Sequence, residues 1–163
     1  MAENVSKAEL VKRIRAGYAD FHAMLATLSP AQIVAEKLLD LWSIKDCIAH
    51  LIAHEQFALT ELDYALRGER MDYDERDTDS INADAVIDSH QKPLDQVLAE
   101  WDRSFQQVIA AVEALSDQHF ALGSALQDNL CDTVDGAFGN NTYQHYAEHL
   151  QRIRERLGRQ GMA

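Results

Sequence analysis

Apolar side chains recur at steps of three and four along most of this chain, the period of a helix with one buried face. The first such stretch opens at Ser6, where Ser6 and Glu9 have the spacing of a capping box, and runs through Leu10, Val11, Ile14, Tyr18, Phe21, Met24, Leu25 and Leu28. It stops before Ser29-Pro30, a pair that suits the cap and first position of a short new turn. A second long helix is expected from Ser43, with Asp46 three residues on and a stripe of Ile44, Cys47, Ile48, Leu51, Ala58, Leu62 and Leu66. Gly68 is its expected stop, because glycine accepts the left-handed conformation past a helix end.

Residues 69–79 are acidic and irregular and read as a loop, followed by a helical stretch over 80–90 and a restart at Pro93. The third long helix has the clearest stripe: Leu94, Val97, Leu98, Trp101, Phe105, Val108, Ile109, Val112 and Leu115, ending near Ser116-Asp117. Residues 120–140 carry three glycines and no helical period, so a long loop is expected there. Asn141 with Gln144 can cap the last helix, whose stripe is Tyr146, Leu150, Ile153 and Leu157 and whose expected end is Gly158. Four long amphipathic helices without an alternating strand pattern predict an all-α fold, a four-helix bundle forming a single domain over residues 1–163.

Composition narrows the class. With 47% hydrophobic and 26% charged residues, 163 residues can bury a core without disulfide support. Cys47 and Cys131 lie far apart and read as reduced thiols of a cytoplasmic protein. Met1 to Leu10 lacks the apolar run of a signal peptide, and no stretch is apolar for long enough to span a bilayer. The formal net charge of −12 repels phosphate backbones and anionic lipid, so neither nucleic acid nor membrane is expected as a partner.

The candidate chemistry lies in histidines. His50 and His54 are four apart on the second long helix, and His145 and His149 are four apart on the last. That step puts two imidazoles on one side of a helix, one turn apart, a spacing that can chelate a borderline metal. Periodicity alone leaves open which ring of each pair points inward: His54 and His149 lie nearer the centres of their stripes than His50 and His145 do. Cys47 sits on the apolar stripe and reads as a buried structural thiol, Trp42 as a staple at the helix start, and Trp101 and Phe105 as core. Tyr143 and Tyr146 flank the second pair and are candidates to line a pocket. No Gly-rich phosphate loop, serine-nucleophile motif or Cys-rich zinc motif is present.

The run Trp42-Ser43-Ile44-Lys45-Asp46-Cys47-Ile48-Ala49-His50-Leu51 resembles the start of the first ligand-bearing helix in the DinB-like superfamily. The run Asn141-Thr142-Tyr143-Gln144-His145-Tyr146-Ala147-Glu148-His149 is similar to that superfamily's last helix, which supplies two ligands. Asn82, the run Val97-Leu98-Ala99-Glu100 and the run Leu115-Ser116-Asp117 extend the resemblance over nearly the whole chain. The resemblance implies a DinB-like four-helix bundle, the metal ligands His50, His145 and His149, and His54 as a neighbour outside the ligand set. It implies a divalent transition metal (zinc, nickel or iron), and a small-molecule substrate such as a low-molecular-weight thiol. It also implies pairing into a homodimer.

The last run also resembles the ClbS/DfsB branch of the superfamily, some of whose members detoxify a reactive small molecule without a described metal reaction. Three expectations therefore stand side by side. The first is a metal-dependent enzyme, of transferase or hydrolase type, acting on a small thiol or electrophile. The second is a metal-free protective protein that hydrolyses or sequesters a reactive compound. The third is a non-catalytic helical protein with structural histidines.

Overall fold

The computed structural model describes residues 5–35, 38–72 and 75–161, with 75–77 described by their backbone alone. Met1 to Asn4 and part of the acidic 69–79 stretch, both interpreted above, lie outside the described residues. The elements are α1 (Lys7–Leu25), α2 (Pro30–Ile33), α3 (Ile44–Leu66), α4 (Glu75–His90), α5 (Leu94–Ala114), a 3-10 turn (Asp117–Phe120), α6 (Ala125–Leu130), α7 (Val134–Gly139) and α8 (Tyr143–Arg159). Among the described residues the nearest thing to a strand is one isolated bridge, Leu39 to Trp42. The protein is an all-α four-helix bundle in which α1, α3, α5 and α8 are the long members. No helix among the described residues is long and apolar enough to cross a membrane.

The helix starts follow their caps. Ser29 and Gln32 form a reciprocal capping box at α2, and Ser43 and Asp46 form another at α3. At α1 only half of the expected box exists: Ser6 accepts from the Glu9 N–H, but the Glu9 carboxylate turns to Arg13, 3.1 Å away, where an ion pair competes with the cap. The expected cap at Asn141 is also displaced. Thr142 is the N-cap of α8 and makes no side-chain cap bond, because its hydroxyl donates instead to the Phe138 carbonyl at 2.6 Å. Gly68 has φ +78°, as a left-handed stop requires, whereas Gly158 lies inside α8 and Gly161 (φ +68°) follows the helix end.

α3 packs against α5, α4 and α8, while α1 packs against α8 and α5. The buried apolar residues form two clusters stacked along the bundle. One joins Leu10, Ile14, Leu62, Val108, Val112 and Phe138; the other joins Phe21, Ile44, Leu51, Trp101, Leu150 and Ile153. Tyr18 packs against both. Trp101 (0% exposed) and Phe105 (5%) are core, as their stripe predicts. Leu66 is not: it is 52% exposed, and the three-residue step to Ala65 brings that residue to the core in its place. The stretch 120–140 is not a plain loop, since α6 and α7 lie within it, capped by Ser124 and Thr133. Six-residue helices make fewer than two turns and so leave no readable period. α1 and α8 meet closely at Gly17, where a Cβ would lie 3.1 Å from the Tyr143 Cα.

Candidate metal centre

The Ser43–Asp46 box fixes where α3 begins, and Asp46, 3% exposed, also accepts from Ser89 Oγ at 3.0 Å. The α3 start is thereby tied to the end of α4. His50 follows one turn after Asp46, and α8 brings His145 and His149 alongside. His145 Nε2 lies 2.9 Å from His50 Nε2 and 2.8 Å from His149 Nε2. The three nitrogens lie within 4.8 Å of one another. The structure thus brings together all three residues that the resemblance singles out.

His54 is part of the same cluster but faces differently. Its ring centroid is 4.5 Å from that of His50 and 4.3 Å from that of His145. Both of its nitrogens are engaged, Nδ1 at 3.0 Å from Asn141 Oδ1 and Nε2 at 3.1 Å from Asn82 Oδ1. Asn141 Nδ2 donates to the Ala137 carbonyl at 2.8 Å, which orients its amide so that Oδ1 accepts from His54 Nδ1–H. Asn141 therefore braces a histidine instead of capping a helix.

Burial, and then the neighbouring imidazoles, push His50, His145 and His149 down to about 3. The rings are neutral near pH 7, the form in which imidazole ligates. Their Nε2 atoms face a common point. The Nδ1 atoms of His50 and His145 are buried without a hydrogen-bond partner among the described residues. Hydrogen bonding serves this arrangement poorly. His145 Nε2 has one proton or one lone pair, and it faces two nitrogens at bonding distance. A cation accepts all three lone pairs at once, and three imidazoles form a donor set suited to zinc, nickel or iron.

Two openings reach the cluster. Beside His149, a cleft of about 280 Å³ is lined by Leu39, Asp40, Leu41, Trp42 and Arg152. Behind His54, a small pocket of about 50 Å³ is lined by Phe57, Thr78, Ile81 and Asn141, and Phe57 and Ile81 also line a larger groove of about 660 Å³ between α3 and α4.

The expected tyrosine lining is absent from these openings. Tyr146 is fully buried and donates to Glu55, while Tyr143 donates to Asp135 at 3.1 Å. Cys47 is fully buried and its thiol is pushed up to about 12, which leaves it protonated and inert. Glu55 and Arg152 are residues near the site that the sequence does not single out, and Asn141, which it reads as a cap, is found bracing His54 instead.

The comparison with curated proteins found no match. Two solved structures share the fold. The colibactin self-resistance protein ClbS, in complex with a dsDNA, has a TM-score of 0.75 at 17% identity, over 95% of this chain and 96% of that one. An uncharacterised protein from Escherichia coli UTI89 has a TM-score of 0.77 at 16% identity, over 96% of this chain and 95% of that one. The first overturns the exclusion of nucleic acid drawn from net charge, because a bundle of this fold is found on duplex DNA. A net charge of −12 averages over the whole surface, whereas α8 carries Arg152, Arg154, Arg156 and Arg159 within its last two turns. The sequence profile described as the DinB superfamily matches residues 13–152, and the chain belongs to that superfamily.

Proposed function

We propose that the protein is a divalent-metal-dependent enzyme, of transferase or hydrolase type, acting on a small thiol or electrophile, with His50, His145 and His149 holding the metal. The observation that carries this reading is the convergence of three neutral Nε2 atoms, 2.8 Å and 2.9 Å apart, from two helices. When bound, such a metal supplies Lewis acidity, which brings the pKa of a coordinated water or thiol toward neutrality. The chain's own residues prepare the place. His50 and His149, each 5% exposed, close the centre on the protein side and keep bulk water from their lone pairs. His54, held at both nitrogens, gives a fixed polar wall beside the centre. The cleft beside His149 admits a small molecule.

Elemental analysis of tag-free protein, beside a variant with all three histidines changed to Ala, tests this. About one equivalent of a divalent transition metal is expected in the wild type and none in the variant, with helical content equal in both. A wild type that neither carries nor takes up such a metal ends the reading.

A second reading, a metal-free protective protein that hydrolyses or sequesters a reactive small molecule, is favoured by the likeness to ClbS, a self-resistance protein. Separations of 2.8 Å and 2.9 Å are also hydrogen-bond lengths, so one of the two contacts can be a hydrogen bond where no ion is bound. Turnover of an electrophile by chelator-treated protein, at the rate of the untreated protein, would decide for it. On this reading duplex DNA is a partner to test, and the α8 arginines are the residues to replace.

A further inference from the structure

We infer that Arg152 makes the cleft beside His149 a binding site for a carboxylate-bearing small molecule with an apolar body. The assignment of that molecule as substrate rests on the reading of His50, His145 and His149 as the reaction centre; the binding itself does not. Arg152 follows His149 by three residues on α8, so both side chains leave the same face of the helix. Both line one cleft of about 280 Å³, close to the size of a small-ligand site.

The opposite wall is apolar and is set by a tight turn. Leu39 and Trp42 exchange two backbone hydrogen bonds, at 2.9 Å and 3.2 Å, and Asp40 between them has φ +64°. That turn holds Leu41 in water, 82% exposed, at the lip of the cleft, and sets the Trp42 ring 5.0 Å from that of His50. A large aliphatic side chain so exposed beside an indole offers contact to the body of a ligand and nothing to solvent.

Asp40 does not saturate the charge. Its carboxylate takes a hydrogen bond from Arg156, while Arg152 stands off at 3.7 Å. Two guanidiniums share that one carboxylate, so Asp40 does not fully neutralise Arg152. Among the described residues Arg152 makes that ion pair and no hydrogen bond, which leaves its planar fork of donors free to take a carboxylate. The geometry thus places an anion at Arg152, an apolar body against Leu41 and Trp42, and the remainder of the molecule at His149.

Phenylacetate and its neutral amide, phenylacetamide, test this with the full chain. Amide and side-chain NMR signals of Trp42, His149 and Arg152 are followed in zinc-saturated and in chelator-treated protein. In both, phenylacetate is expected to shift these signals and to bind about tenfold tighter than phenylacetamide, the worth of one charge-assisted contact. Arg152→Gln is expected to erase the difference while leaving phenylacetamide binding unchanged, and Asp40→Asn, which removes the competing carboxylate, to strengthen phenylacetate binding. Equal affinity for the two probes, or a preference that survives in Arg152→Gln, overturns the inference. Preference through Arg152 in a protein that takes up no zinc would uphold the anion site and remove the metal reading instead.

Discussion

Tyr146 donates its hydroxyl proton to Glu55 in the middle of the core, one residue along α8 from His145. Glu55 also accepts from Trp101 Nε1 at 2.8 Å, and its second oxygen is unpartnered among the described residues. One buried carboxyl therefore links α3, α5 and α8 near the level of the histidines. Removing the tyrosine hydroxyl with Tyr146→Phe keeps the ring packing and takes a donor from a buried acceptor. We expect a loss of about 1–3 kcal/mol in denaturant unfolding. Glu55→Gln, which still accepts from both partners, is expected to cost less. A Tyr146→Phe protein as stable as the wild type would show that the link carries no stability.

The pH dependence follows from two opposed shifts. Burial raises Glu55 from its ordinary 4.5 to about 7. The native state therefore holds this proton more firmly than the unfolded chain, and the stability it confers is full below pH 4.5 and is lost as pH climbs through 7. The three histidines, lowered from 6.5 to about 3, act in reverse: their contribution is full above pH 6.5 and is lost as pH falls toward 3. Below pH 6.5 three groups outweigh one, so chelator-treated protein should weaken in acid. Near pH 7 the raised Glu55 gives a downward slope, so stability should decline gently there and level off above it. Glu55→Gln should flatten that upper limb and leave the acid limb in place. Denaturant midpoints from pH 4 to 9 decide it, and an unchanged upper slope in the variant would refute the assignment.

Much of the bundle is legible in the sequence because long helices repeat their signal many times. Five or more stripe positions locate α1, α3 and α5, and capping residues fix the starts of α1 and α3, whereas α1 ends at Leu25, short of the stripe's Leu28. The histidine centre is legible only in part. The four-residue steps show that the rings pair, but the stripes favour His54 over His50. Periodicity reports which face is covered, and His54 is covered by Asn82 and Asn141 instead of turning its nitrogens to the common point. Glu55 is illegible for another reason. Its partners Trp101 and Tyr146 are 46 and 91 residues away, and nothing in their local sequence marks either as the partner of a buried carboxyl.

Those core aromatics give a direct check of the packing. Trp101→Ala and Phe105→Ala each leave a large void, with an expected cost of about 3–5 kcal/mol. Trp101 should be the more damaging, since it is fully buried and also supplies the indole N–H to Glu55, whereas Phe105 stacks on the half-exposed Tyr18 at 3.8 Å. Equilibrium unfolding that ranks them the other way would count against the role given to Glu55.

Gly17 tests how closely α8 must approach α1. In an open helix Gly→Ala gains about 1 kcal/mol. Here the new methyl meets the Tyr143 Cα at 3.1 Å and the buried Tyr146 ring at 3.2 Å, neither of which can swing aside as a flexible chain end would. We expect a net loss of about 1–2 kcal/mol and a weaker hold on zinc, because α8 carries two of the three rings. A stabilised Gly17→Ala protein would mean that the two helices separate at no cost.

The sharpest test of the centre is the contrast between His54 and His145, which sit on different helices with ring centroids 4.3 Å apart. His145 is the middle ring of the three, and its Nε2 contacts both His50 and His149. His145→Ala removes the nitrogen the other two share and leaves only two donors from different helices, so zinc affinity should fall by at least about tenfold. His54→Ala leaves all three Nε2 atoms and removes a brace between Asn82 and Asn141, so zinc should still bind at one equivalent with a smaller loss of affinity. Competitive zinc titration of both variants, with circular dichroism to show that each remains helical, separates the possibilities. If His54→Ala loses zinc and His145→Ala keeps it, the ligand set is the one the stripes favour, and His50 and His145 exchange places with their neighbour as the braces of the site.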